Sequence, residues 1–191
     1  MSTGFATVAG LTRIAEIDVD ALERNIVALV ADKPHTSLCV DARANAYGHG
    51  IATVAAAASR AGVSHALVST ESEAAHALAA GLEPVHDKSH GAIAGGFTTL
   101  GIPVLSLDVY GFHSLEPVMT VRSELVAVKR IAAGTGVSYG YSFRAAEPTT
   151  IGLVSLGYSD GIPRLASNRG VVSIGGQQFP SLDVLRWISS L

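Results

Sequence analysis

Lysine is nearly missing from this chain: there are three in 191 residues, Lys33, Lys88 and Lys129. Arginine makes up the rest of the 13 basic residues, the net charge is −3, and the positive residues form no cluster. That excludes a protein built to grip a nucleic-acid backbone. Cysteine occurs once, as Cys39, so neither an intrachain disulfide nor a multi-cysteine zinc site is available. Its apolar setting, SLCV, predicts a buried strand residue. The seven histidines show no ligand spacing, and no metal site is expected. No apolar run approaches the roughly 20 residues that a membrane helix needs. The first residues, MSTGFATVAGLTR, lack a basic segment followed by an apolar one. The expectation is a cytoplasmic protein with no membrane partner.

What the chain does have is apolar material. Hydrophobic residues reach 48% against 15% charged, enough for a core and too much for wholesale disorder. Residues 20–32, DALERNIVALVAD, place Leu22, Ile26 and Leu29 on one helical face, with Asp20 and Glu23 spaced as a capping box. TSLCV and HALVS read as strands. IATVAAAASRAG reads as a helix closed by Gly62, and TESEAAHALAAG as a helix capped by Thr70 with Glu73 and ended by Gly81. Helix and strand thus alternate over residues 18–85, which predicts βα units around a parallel sheet. Residues 86–103 are glycine-rich and aperiodic. From Val104 the pattern turns to strands, including a hairpin with Gly-Gly at its tip in GVVSIGGQQF. A domain boundary is placed in this shift, giving 11–111 and 112–191.

Three stretches carry candidate chemistry. NAYGHG is a turn between strand and helix whose amides suit an anion, with Tyr47 and His49 beside it. GVSYGYSFRA holds Tyr139 between small residues, where a tyrosine can serve as acid or base. LGYSDGIPR holds Tyr158 and Arg164 around an Asp-Gly turn. Read singly, each has an ordinary alternative: an exposed turn, a sheet-face aromatic, a solvated charge.

Taken together and in order, these motifs resemble the alanine racemase family. AEIDVDALERNI is similar to its N-terminal strand and first helix, ANAYGHG to the loop after its first barrel strand, and TESEAAHALAAG to a later helix. EPVMTVRSELVAVKRIAAGTGVSYGYSFRA and LGYSDGIPRLASNRGVVSIGG are similar to its C-terminal β domain. The resemblance covers roughly residues 11–85 and 104–178. It implies a (β/α) barrel followed by a mostly antiparallel β domain, working as a homodimer. It also implies pyridoxal phosphate (PLP) as cofactor, L- and D-alanine as the interconverted substrates, and a supply of cell-wall precursor. By the resemblance Tyr139 takes the catalytic tyrosine position, Tyr47 contacts the cofactor phosphate, and Tyr158 stands at the mouth of the substrate channel. The backbone amides of Ser106 and Leu107 are assigned to the phosphate.

The departures are as specific as the matches. Arg43 stands at the catalytic position where the family has its imine-forming lysine. A guanidinium stays protonated at working pH and is neither nucleophile nor base. In VLSLDVYGF, Val104 replaces an arginine of the family, and Ser106 and Leu107 replace a glycine and an isoleucine. A (β/α)₈ barrel takes about 250 residues, and far fewer precede Tyr110, so the barrel is expected to be incomplete with sticky edges. After Phe179 the tail QQFPSLDVLRWISSL departs from the family pattern. These departures point to an internally shortened racemase relative, impaired or inactive. The alternative is a non-catalytic relic that binds PLP or acts through protein contacts, pairing with itself or with a full-length homologue.

Overall fold

The computed structural model describes residues 13–33, 37–87, 98, 102–105, 107–111, 114–137 and 143–182. Two units are distinguished: Ala15–Thr120, and a second made of the residues up to Ile14 together with those from Val121 onward. β1 (Arg13–Ile17) is followed by α1 (Val19–Ala31). The helix starts before Asp20, and this corrects the expected cap. Asp18 is the N-cap, and its side chain accepts from the Ala21 amide at 2.9 Å. Asp20 falls inside the first turn, where its charge suits the helix dipole. Glu23 instead accepts from Arg60. Leu22 and Ile26 are fully buried, as the periodicity predicts. Asn25, also buried, binds Val109 and Glu116 carbonyls and accepts from the Glu116 amide. A buried amide satisfied in this way ties α1 to the chain some 90 residues later.

The parallel sheet is built from β2 (Cys39–Asp41), β3 (His65–Val68), β4 (Glu83–His86) and β5 (Val104–Leu105), in the order β4-β3-β2-β5. Between them run α2 (Arg43–Tyr47), α3 (Ile51–Arg60) and α4 (Glu71–Ala79). β2 begins later than the run TSLCV suggested, because its ladders to both neighbours start at Cys39, opposite His65 and Val104. Thr70 caps α4 with Glu73 as a capping box, as read from the sequence. Strand alternation sorts the faces. Val40, Ala66, Val68 and Leu105 join the core with the helices, whereas Cys39, Leu67 and Val85 cluster on the opposite face. Burying each large side chain of the helical core contributes about 1.5–3 kcal/mol, so most of this unit's stability lies between helices and sheet.

The sheet has two ends, β4 and β5, and among the described residues it does not close. An eight-stranded barrel places its last strand beside its first. Here β5, the last strand of this sheet, pairs with β2, and among the described residues no strand links β4 to β5. The described residues are consistent with the incomplete barrel expected from the sequence. A short 3₁₀ helix, Leu107–Tyr110, follows β5. It ends at Gly111, where φ is +95° and a Cβ would lie 2.2 Å from the Glu116 carbonyl oxygen, so only glycine fits.

Cys39 is completely buried on β2, and burial pushes its thiol up to about 12. The folded protein is expected to resist thiol reagents at neutral pH and to react stoichiometrically once unfolded in urea. Rapid native labelling would contradict this burial.

In the second half, β6 (Met119–Ser123) pairs with β1. β7 (Leu125–Ile131) pairs with β10 (Thr149–Val154), and β8 (Gly136–Val137) with β9 (Phe143–Arg144). β11 (Val171–Ile174) pairs with β12 (Gln177–Pro180) through Gly175 and Gly176, both at positive φ. These last three pairs are antiparallel, and the Gly-Gly hairpin stands where the sequence puts it.

Candidate functional site

The site lies at the C-terminal ends of β2 and β4, where parallel α/β architectures carry their chemistry. Asp41 is the last residue of β2, and Asp87 follows β4. Alternation puts Asp41 on the same face as Cys39, and Asp87 on the same face as Val85. Arg43 reaches both. Its Nε donates to Asp41 Oδ1 at 2.9 Å and its Nη2 to Asp41 Oδ2 at 2.7 Å, a bidentate pair. Its Nη1 lies 3.4 Å from Asp87 Oδ2. Side-chain exposure is only 8% for Arg43 and 2% for Asp41. Hydrogen bonding to Asp41 holds the guanidinium protonated above its ordinary range, against a smaller opposing effect of burial.

The chain then makes an uncommon turn. Ala44, Asn45, Ala46 and Tyr47 all have φ of 53–55°, so α2 is wound left-handed after its first residue. Each such residue costs about 1–2 kcal/mol in an L-chain, and strain of this kind needs surrounding contacts to hold it. The Asn45 amide donates to Glu73 Oε1 at 3.0 Å, and Asn45 Oδ1 accepts from the Ile51 amide at 2.9 Å. Glu73 also accepts from the amides of Ser69 and Thr70 through Oε2. Burial works against the Glu73 carboxylate, but these donors outweigh it and hold its pKa below the usual range.

The left-handed turn carries Tyr47 back over the strand end. Its hydroxyl donates to Asp41 Oδ2 at 2.7 Å. Tyr110 donates to the Asp41 carbonyl at 2.6 Å, meets Tyr47 edge-on at 5.6 Å, and stacks on His49 at 4.4 Å. Burial, with Asp41 adding to it, raises both phenols, Tyr110 by more. Burial lowers the His49 pKa, opposed by its backbone hydrogen bonds. Around neutral pH the tyrosines stay protonated, and the cluster carries one guanidinium facing two carboxylates.

Of the residues singled out in the sequence, Arg43 and Tyr47 come together here. Leu107 is partly exposed in the 3₁₀ helix that carries Tyr110. Tyr158 lies in the other unit, at the start of a 3₁₀ helix Tyr158–Asp160. Ser106 and Tyr139 lie outside the described residues, as does Lys88. Lys33 follows α1, and Lys129 is exposed in β7 of the other unit, so neither belongs to the segment that ends β2. Sequence reasoning missed Asp41, Asp87 and Tyr110, and saw Glu73 only as a helix cap. The Asp-x-Arg spacing in a strand end was the available signal for Asp41. Nothing local pointed to Asp87. Among the described residues no cluster suits a metal ion, and no helix is long and apolar enough to cross a membrane.

Two family models match the chain: the alanine racemase N-terminal domain over residues 17–99 and the alanine racemase C-terminal domain over residues 118–184. The first extends into the aperiodic stretch, and the second runs past Phe179, where the sequence alone suggested the likeness ends. An alanine racemase from Thermobifida fusca is 45% identical over 84 residues, which is 44% of this chain and 22% of that protein. One from Nostoc sp. is 39% identical over 109 residues, covering 49% of this chain and 28% of that protein. The aligned stretches thus span about a quarter of the length of these relatives. Among solved structures, alanine racemase from Streptomyces lavendulae superposes with a TM-score of 0.71 at 22% identity, covering 92% of this chain and 82% of that one. Alanine racemase from Bartonella henselae, described with covalently bound pyridoxal phosphate, gives 0.66 at 20% identity, covering 90% and 83%. These structural likenesses speak to the fold, and the sequence matches to the lineage. With both domain models matched in order across most of its length, the chain belongs to the alanine racemase family.

Proposed function

We propose that this chain is a family member that does not interconvert L- and D-alanine. The observation that carries the reading is the Arg43 guanidinium, clasped by Asp41 and Asp87 at the end of β2. Covalently bound PLP, as described for the Bartonella henselae relative, needs an amine that can form an imine. The residues present do not fit that group. The side chain at 43 is a permanent cation already matched to carboxylates, and the Tyr47 hydroxyl, which an anion would require, is donated to Asp41. By the resemblance Tyr47 contacts the cofactor phosphate, and a phosphate at that hydroxyl would meet the Asp41 carboxylate, which as a like charge would repel it. Ser106 and Tyr139, which the resemblance ties to cofactor and substrate, enter this reading on the resemblance alone, as do Leu107 and Tyr158.

The test is direct. The purified chain is incubated with PLP, reduced with borohydride and mapped by mass spectrometry, alongside an alanine racemisation assay. The expected result is no coenzyme attached within residues 37–60 and no D-alanine formed. An adduct there, or steady racemisation, would overturn the reading.

The role left to such a chain is assembly, with itself or with a full-length homologue. The exposed apolar side chains of Leu125 and Val128 in β7 and Leu153 in β10 support it, since 42%, 63% and 48% of their surface is open. Light scattering is expected to report a dimer or larger species, and a strict monomer that also ignores a full-length racemase would remove this part. The boundary 11–111 and 112–191 belongs to the same proposal, as the division between a barrel remnant and a β domain.

A further inference from the structure

We infer that Asp41 and Asp87 form a carboxylate clamp that keeps any basic side chain at position 43 charged, so that lysine placed there stays closed to amine chemistry until Asp41 is changed as well. This rests on the reading above and adds a second determinant to it.

The geometry comes from three places in the sheet. Asp41 ends β2, Asp87 follows β4, and both converge on position 43 across the end of β3. Asp41 is used to capacity. Its Oδ1 accepts from Arg43 Nε and from the Arg43 amide at 3.3 Å, and its Oδ2 accepts from Arg43 Nη2 and Tyr47. Among the described residues, the other titratable groups at the site are Cys39 on β2, Tyr47 on α2, Tyr110 on the 3₁₀ helix, and His49 stacked upon it. Burial keeps the thiol and both phenols protonated and disfavours a charged imidazole. Among the described residues the two carboxylates are therefore the charges that a cation at 43 meets.

Imine formation needs a neutral amine. The nitrogen lone pair attacks the aldehyde carbon, the carbon–oxygen double bond is replaced by carbon–nitrogen, and the oxygen leaves as water with the two nitrogen protons. A lysine ammonium with a carboxylate within about 4–6 Å holds its proton more tightly, by about one to three pH units. Arg43→Lys therefore restores the atom type without the reactive form. Asp41 is a positioning residue in this account: it acts through the side chain at 43.

The experiment compares Arg43→Lys with the double variants Arg43→Lys/Asp41→Asn and Arg43→Lys/Asp87→Asn. Each is treated with formaldehyde and cyanoborohydride across a pH series, and methylation at position 43 is read by peptide mass spectrometry against Lys129 in the same sample. In the single variant, labelling at 43 should set in about one pH unit or more above labelling at Lys129. In the Asp41→Asn double variant the onset should shift down by about one unit or more, with a smaller shift for Asp87→Asn. Identical onset in the single and Asp41→Asn variants would overturn the clamp. Should the Asp41→Asn chain fail to fold, the single variant still decides: onset at or below that of Lys129 overturns the clamp, because burial alone would produce that direction. A coenzyme adduct on the unaltered chain would instead defeat the proposed function and leave this profile untouched, so the two failures are distinguishable.

Discussion

Replacing Arg43 with leucine is expected to destabilise the N-terminal unit by about 3–5 kcal/mol. The Asp41 side chain is 2% exposed, and removing its bidentate partner leaves a charge that water cannot reach. Breaking one half of a buried pair costs this much because the remaining ion loses its compensation, whereas removing both halves together is often close to neutral. The double variant Arg43→Leu/Asp41→Leu should therefore recover most of the loss. Urea denaturation of the two variants beside the parent provides the comparison. A single variant within about 1 kcal/mol of the parent, or a double variant worse than the single, would mean that the pair is not the buried unit described here. The same arithmetic explains why arginine suits this position. With carboxylates already present on two strand ends, a planar fork that satisfies both is the side chain the site can hold.

Glu73→Ala is expected to cost about 3 kcal/mol, with a dependence on pH that distinguishes its cause. Hydrogen bonds to a charged acceptor are worth about 1.5–3 kcal/mol each and do not simply add. Here one carboxylate serves the amides of Asn45, Ser69 and Thr70. The first of these fixes the left-handed turn, so its loss should also release the strain stored from Ala44 to Tyr47. Because those donors hold Glu73 below the ordinary carboxylate range in the folded protein, its contribution is complete above its unfolded pKa. It is lost as pH falls through the depressed folded value. The stability gap between parent and variant should be widest near neutrality and shrink as acid takes the pH below the ordinary carboxylate range. A gap that stays constant with pH would assign the effect to lost packing.

Much of the fold was legible locally. Alternating helical and strand signals over residues 18–85, the Thr70 capping box, the burial of Cys39 and the Gly-Gly hairpin all stand where pattern and turn chemistry put them. The α1 cap was misplaced because Asp18 and Asp20 are equally good capping residues, and only the helix start chooses between them. The candidate site was half legible. Arg43 and Tyr47 could be found from a motif, but their partner Asp41 was hidden in plain view, as a polar residue at the end of an apolar strand.

By itself the sequence determined the lineage, the order of the motifs, the shortage of barrel strands and the absence of lysine at position 43. Those are properties of residue identity and spacing, and folding does not change them. Only the tertiary structure decided what Arg43 does. Its contact with Asp87 spans 44 residues and exists because only β3 separates β4 from β2 in the sheet. The contact of Tyr47 with Asp41 exists because four residues without glycine are held at positive φ. Alanine and its neighbours in that loop prefer the right-handed form, so no local preference announces such a turn. Contacts supplied by Glu73 and Asn45, from outside the turn and within it, overrule the preference and aim the side chains.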